Sequence, residues 1–247
     1  EEIPCGERTL YKYISAGYLT ARNLDMRRTV RYRKRVRSVP TPKISYRKKE
    51  GHHYSDYLDF IAKNEGIRVV QMDTVEGNKL LHTLLWPENN LMLAFLIETK
   101  EMKNTVATFD WLEETLGNEM FRELFPVILT DNGCEFADPE LFEKGHDGKK
   151  RTRVFYCESR HSEQKGELEK NHEYIRYVLP KGSSFDGLNQ EQVLRMVNHI
   201  NNTTRPKLHG STPMKKALKS FDKNAMEKLG LEIIPPDEIC LKPELLK

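Results

Sequence analysis

A short apolar run that ends in an acidic turn constrains this chain more than any other feature. The run Pro-Val-Ile-Leu covers residues 126–129, and after Thr130 it meets Asp131, Asn132 and Gly133. Such a run predicts a buried strand, and Asn-Gly predicts the turn that ends it. Open α/β sheets carry their chemistry at strand ends of this kind. Two interpretations of Asp131 stay open: a carboxylate that bonds its own backbone in an Asx-type turn, or one that serves a site.

The segments around this strand predict an α/β fold. Strands joined by short turn segments, and hence a three-stranded antiparallel meander, are predicted at residues 68–77, 79–87 and 90–99. Helical periodicity is found at residues 54–63, 104–116, 164–179 and 190–201. Because a helix stands between the third and fourth strands, we expect the fourth strand to run parallel to a neighbour.

Two further carboxylates stand out by their positions. Asp73 lies inside an apolar strand, where aspartate is depleted, so it must be solvated, paired or liganded. Glu169 lies on the charged face of the helix predicted at residues 164–179. Together with Asp131 they form an all-oxygen donor set, which suits hard divalent cations, and such ions support phosphoryl transfer.

Three sequence boxes carry a resemblance to a known family. They are Met-Asp-Thr-Val-Glu-Gly at residues 72–77, Thr-Asp-Asn-Gly-Cys-Glu-Phe at 130–136, and residues 162–171 around Glu169. They look like the D, D and E boxes of DDE transposases and retroviral-type integrases. The following run, which ends in Pro180-Lys181-Gly182, resembles the tail of the IS-thirty group of bacterial insertion sequences. The resemblance implies an RNase H-like fold and a transposase that cleaves and joins DNA strands to integrate an insertion sequence.

The resemblance also implies the composition of the site. Asp73, Asp131 and Glu169 would be the catalytic residues and would hold two Mg²⁺ ions, with Mn²⁺ able to substitute. Glu167 is an extra acid two residues earlier, but the spacing from Gly166 in the family's motif favours Glu169. Asn132 and Gly133 are expected to shape the turn, and Glu135 is expected to form a salt bridge in the loop.

A basic arm predicts a nucleic-acid partner. Residues 27–49 contain eleven Lys and Arg residues and no acid, whereas the whole chain has a net charge of only +3. Positive charge at this density favours a polyanion. We expect the partner to be DNA, bound by a homo-oligomer of the chain. The expected contacts are Arg8 and Lys12 in a partial helix-turn-helix, Arg31, Arg33, Lys34 and Arg35 in the arm, and Lys165, Lys170 and Arg176 in the later helix.

These features predict that the chain consists of four regions. They are a partial helix-turn-helix at residues 1–26, a basic linker at 27–53, an RNase H-like catalytic core at 54–185, and C-terminal helices and a tail at 186–247. No apolar run reaches the roughly 18 residues of a membrane span. The scattered cysteines form no C-x-x-C pair, which disfavours a zinc site. The expected location is the bacterial cytoplasm, at the nucleoid.

Two alternatives to an active transposase stay open. The chain begins at Glu1, and the upstream DNA-binding helices of the IS-thirty group are absent from it. That absence favours a truncated, transposition-deficient derivative that only binds DNA. The other alternative is a ribonuclease-H-type nuclease acting on RNA–DNA hybrids, which the Pro-Lys-Gly tail disfavours.

Overall fold

The computed structural model describes residues 5–21, 49–159 and 161–247, which belong to two units, residues 1–41 and 42–247. The first unit contains helix α1, Glu7–Ala16, which ends at Gly17 in the left-handed conformation with a φ of 76°. Arg8 and Lys12 are both exposed on this helix. The predicted arm contacts Arg31, Arg33, Lys34 and Arg35 lie outside the described residues. The four-part domain plan stays a prediction.

The second unit begins with one helix and three consecutive strands, and helices then separate the two remaining strands, in the predicted order. Its strands are β1 (Val69–Glu76), β2 (Leu80–Trp86), β3 (Leu91–Ile97), β4 (Val127–Thr130) and β5 (Arg153–Tyr156). Its helices are α2 (Tyr54–Lys63), α3 (Met102–Leu116), α4 (Asn118–Leu124), α5 (Pro139–Glu143), α6 (Gly166–Val178), α7 (Gln190–Asn202), α8 (Pro213–Ala217) and α9 (Lys223–Lys228). Helix α4 was not predicted from the sequence, because Gly117, which ends α3, also stands immediately before α4.

The strands form one mixed sheet in the order β3-β2-β1-β4-β5. Strands β1, β2 and β3 pair antiparallel, which confirms the meander. Strand β4 pairs parallel to both β1 and β5, as the intervening helices require. A meander extended by two parallel strands, with helices on the sheet, confirms the predicted α/β, RNase H-like fold class.

Side-chain alternation along β4 shows that the sheet is covered on both faces. Ile128 belongs to the large core cluster, which also holds buried residues of α3, α6 and α7. Val127 and Leu129 belong to a second cluster, against which Tyr57 and Phe60 of α2 pack. Because successive strand residues point to opposite faces, an apolar strand with no polar face must lie between two layers of helices.

Helix α7 closes the outer edge of the sheet. The side-chain amide of Asn201 donates to the carbonyl of Met92 at 2.8 Å and accepts from its backbone N–H at 3.0 Å. Gln190 does the same for the carbonyl of Ala94 and the N–H of Leu96. An open edge strand offers unpaired backbone groups to other chains, and these two side chains satisfy those groups on β3.

Candidate active site

The strand register brings Asp73 and Asp131 to the same end of the sheet. Gln71 of β1 lies opposite Leu129 of β4, and the two strands run parallel. Each aspartate follows two residues later in its own chain segment, so Asp73, within β1, is the neighbour of Asp131, just past the carboxyl end of β4. This is where open α/β sheets bind ligands.

Asp73 is a largely buried carboxylate. Its Oδ1 accepts a hydrogen bond from the backbone N–H of Thr74 at 2.8 Å. Burial raises the pKa of Asp73 above its ordinary value, the nearby Lys165 ammonium opposes that rise, and the Asp131 charge adds to it. A positive charge beside a carboxylate in this environment stabilises its ionised form.

Asp131 uses its two oxygens for different purposes. Its Oδ1 accepts from the backbone N–H of Gly133 at 2.9 Å, which is the Asx-type turn. Its Oδ2 lies 3.8 Å from Nζ of Lys165. The Asx-type turn is therefore confirmed, and it leaves the other oxygen facing Lys165, so a role of Asp131 in a site is compatible with the turn and stays a prediction.

Glu169 and Glu167 have different surroundings, although both lie in the first turn of α6. Glu169 lines a cavity of about 420 Å³ together with Asp73 and Asp131. Glu167 makes an ion pair with Lys207, with 2.6 Å between its Oε1 and Nζ. Glu169, the residue favoured by the motif spacing, thus lines the same cavity as the two aspartates, whereas Glu167 does not.

Lys165 is buried, unlike the exposed Lys170 on the same helix. Its Nζ lies 3.5 Å from Oδ2 of Asp73 and donates to the carbonyl of Met72 at 3.2 Å. The sequence predicted a DNA contact for it, and in the structure its ammonium faces the aspartates. Arg176 is half-buried and donates to the carbonyl of Glu76 at 3.5 Å. The DNA contacts of all three stay predictions.

Glu135 explains why residue 133 is a glycine. Gly133 has a φ of −60° and a ψ of 150°, which any residue adopts. A Cβ on it would lie 2.4 Å from Oε2 of Glu135, whose carboxylate is buried beneath the turn. Gly133 was expected to shape the turn, and the close approach of the Glu135 carboxylate adds a packing reason for a glycine there.

Lys100 provides the salt bridge that was expected for Glu135. Its Nζ lies 3.4 Å from Oε1 of Glu135 and 2.9 Å from Oε1 of Glu76. Glu76 ends β1, three residues after Asp73, so Lys100 links the strand of one aspartate to the loop of the other. No local pattern marks this lysine, because both its partners are distant in sequence.

Lys49, the last residue of the basic arm, also supports the turn of Asp131. From the sequence it was not distinguished from the other basic residues of the arm. Its Nζ donates to Oδ1 of Asn132 and lies 4.3 Å from the ring centroid of Tyr156. The amide of Asn132 in turn donates to the carbonyl of Cys157 at 2.7 Å. Burial lowers the pKa of Lys49, and the charge of Asp131 partly restores it.

The donor set of Asp73 and Asp131 fits a divalent cation. Both are hard oxygen ligands, and the Lys165 ammonium already places one positive charge beside them. Within residues 5–21, 49–159 and 161–247, no three His, Cys, Asp or Glu side chains are arranged so that they could share one metal ion. Glu169 borders the cavity as a further carboxylate.

The chain is similar in sequence to proteins named as transposases and as an integrase. The chain is 30% identical over 105 residues to the transposase for insertion sequence element IS4351 of Bacteroides fragilis, which covers 42% of this chain and 31% of that protein. It is 24% identical over 215 residues to a putative integrase of a Spiroplasma virus, covering 84% and 62% of the two chains. It is 28% identical over 220 residues to a probable transposase for the element IS1161 of Streptococcus salivarius, covering 85% and 57%.

No family model matches the chain. The catalytic core domain of BIV integrase aligns with a TM-score of 0.45 and 18% identity, over 63% of this chain and 96% of that one. In the described part of the chain, no helix is both long and apolar enough to cross a membrane. The chain spans less than two thirds of the length of each curated relative. By sequence it is related to insertion-sequence transposases and integrases, which confirms the resemblance found in its motifs.

Proposed function

We propose that this chain catalyses metal-dependent cleavage and joining of DNA strands as the transposase of an insertion sequence. The observation that carries the proposal is the convergence of Asp73, Asp131 and Glu169. Asp73 within β1 and Asp131 just past the end of β4 lie in matching register on adjacent parallel strands, and all three carboxylates line one cavity. The sequence relatives, which are named as transposases and an integrase, support the same activity.

The three carboxylates would hold the cations, two Mg²⁺ ions or Mn²⁺ in their place. Such ions activate the attacking oxygen and stabilise the leaving oxygen of a phosphoryl transfer. The protein's own contribution is positioning. The Asx turn holds Asp131, the bond from the Thr74 N–H holds Asp73, and Lys49 braces the turn through Asn132. Preorganised groups of this kind supply much of the catalysis in phosphoryl transfer.

DNA would be held by positive charge outside the carboxylate cavity. Lys170 is exposed one residue after Glu169, and Arg176 lies further along the same helix. The ten basic residues at 27–48 would contact the phosphate backbone without reading its sequence. Joining two transposon ends to one target requires more than one active site, so we propose a homo-oligomer on DNA, at the bacterial nucleoid.

The test of this function is Mg²⁺-dependent nicking of DNA that carries the element's ends. Asp131→Asn keeps an acceptor for the Gly133 N–H but removes the charge, so nicking should fall to background while DNA binding is retained. Glu167→Gln is the matched control, because it also removes one carboxylate charge, at a residue of α6 that pairs with Lys207 and does not line the cavity. Nicking by Asp131→Asn at the wild-type rate would show that the assignment is wrong.

The same experiments distinguish the two alternatives. DNA retention on a filter without nicking by the wild-type chain would favour a derivative that only binds DNA. Cleavage of RNA–DNA hybrids without strand joining would favour a ribonuclease-H-type nuclease. Strand joining by the wild-type chain would exclude both.

A further inference from the structure

The ammonium group of Lys165 lies between the two carboxylates where a cation is expected. Its Nζ is 3.5 Å from Oδ2 of Asp73 and 3.8 Å from Oδ2 of Asp131. A third contact, 3.2 Å long, joins it to the carbonyl of Met72, and the residue is only 5% exposed. A buried ammonium is costly without partners, and two close carboxylates repel one another. The lysine and the aspartate pair therefore stabilise each other.

A divalent cation cannot share this position with the lysine. Mg²⁺ requires oxygen ligands at about 2.0–2.1 Å in near-octahedral geometry, and these are the oxygens that the ammonium now faces. The two positive charges would also repel strongly inside a partly buried site. Binding of the cation and retention of Lys165 in its present place are therefore mutually exclusive.

We propose that Lys165 is a tethered counter-ion that holds Asp73 and Asp131 in the metal-free chain and that the divalent cation displaces. The inference rests on the proposed function, because it takes these carboxylates as the cation site. The displaced ammonium becomes free to bind a phosphate oxygen of DNA. The Lys165 side chain thus has two states, the buried one seen here and the DNA-bound one predicted from the sequence.

The position of Lys165 in the chain suits such a movement. It ends a short 3-10 turn, Ser162–Lys165, and immediately precedes α6, which begins at Gly166. Its four-carbon stem can rotate without disturbing the helix, and lysine is a compact charge on a flexible stem. Asp73 and Asp131, by contrast, are held by backbone hydrogen bonds from Thr74 and Gly133. The lysine is therefore the group that moves.

The first test is the affinity of the whole chain for Mn²⁺, measured by isothermal titration calorimetry without DNA. Lys165→Met removes the competing charge, so Mn²⁺ should bind roughly fivefold tighter or more, the lower end of typical coupling between sites. Lys165→Arg keeps the charge and should not tighten binding. Lys223→Met is the control for net charge, because Lys223 is an exposed lysine on α9 with an 81% exposed side chain.

The second test follows the lysine itself. Mass spectrometry after brief acylation with an N-hydroxysuccinimide ester should find Lys165 protected in the metal-free wild type. Added Mg²⁺ should raise its labelling severalfold, while labelling of Lys223 stays constant. A structural role without displacement would leave the labelling of Lys165 low in both conditions.

The outcomes separate this inference from the proposed function. Unchanged or weaker Mn²⁺ binding by Lys165→Met, or no gain in labelling, would overturn the inference alone. Failure of the wild type to bind Mn²⁺, or binding that is insensitive to Asp131→Asn, would overturn the proposed cation site as well. If Lys165→Met does not fold, Lys165→Gln, which keeps a donor for the Met72 carbonyl, is measured with the same expectation and the same refuting result.

Discussion

Replacing Gly133 by alanine tests how the turn of Asp131 is supported. A Cβ at this position would lie 2.4 Å from Oε2, 2.7 Å from Cδ and 3.0 Å from Oε1 of Glu135. Ordinary contact begins at 3.4 Å, so the carboxylate must retreat by about 1 Å. Glu135 has little room to do so, because it is 2% exposed and its backbone carbonyl accepts a hydrogen bond from Thr105 at 2.7 Å.

The expected cost follows from two opposing contributions. Overpacking of a buried site costs about 1–3 kcal/mol. Alanine also reduces the entropy of the unfolded chain, which stabilises the protein by about 0.4–1 kcal/mol where the backbone angles suit it, as they do at Gly133. We therefore expect Gly133→Ala to lower the free energy of unfolding by about 1–2 kcal/mol and to slow Mg²⁺-dependent nicking, since the displaced Glu135 moves the loop that carries Asp131.

Urea denaturation of a double-mutant cycle isolates the contact. Glu135→Ala removes the atoms that would collide, so Gly133→Ala in that background should be neutral or slightly stabilising. Gly187→Ala is the control, because no atom lies within 4 Å of its Cβ position. If Gly133→Ala costs the same with and without the Glu135 side chain, the packing explanation is refuted.

Two other substitutions test a histidine in the core and the lysine that supports the turn. Burial lowers the pKa of His82 to about 3 and that of His172 to about 4, so both are neutral in the folded state and charge on unfolding below pH about 6.5. Stability should therefore fall as the pH drops below 6.5, by up to about 1.4 kcal/mol per pH unit for each histidine. His82→Phe, which keeps an aromatic ring beside Phe109 and Phe136, should reduce that slope in urea denaturation between pH 6.5 and 5, and an unchanged slope would contradict the assignment. Lys49→Met keeps contact with Tyr156 but loses the bond to Asn132, so nicking should fall roughly tenfold while DNA binding is retained. Nicking equal to that of Lys223→Met would show that the brace has no effect.

The sequence alone predicted the main strands and helices. An apolar run that ends in an acidic turn predicted a buried strand, and the helix before it predicted a parallel neighbour. A common site for Asp73 and Asp131 was implied by the motif resemblance, and the register of β1 and β4 places them as neighbours. These inferences succeed because periodicity and connection rules act over short stretches of chain.

Only the tertiary structure decided which partners the site residues have. Glu167 and Glu169 have the same charge and lie in the same helical turn, and Lys207, some forty residues later, engages the first and leaves the second at the cavity. Lys165 and Lys170 are equally basic in sequence, yet one is buried between aspartates and the other is exposed. Gly133 resembles a turn glycine, but the carboxylate of Glu135 excludes a side chain there. Burial and ion pairing depend on groups that are distant in sequence and meet only when the core has packed, so no local pattern specifies them.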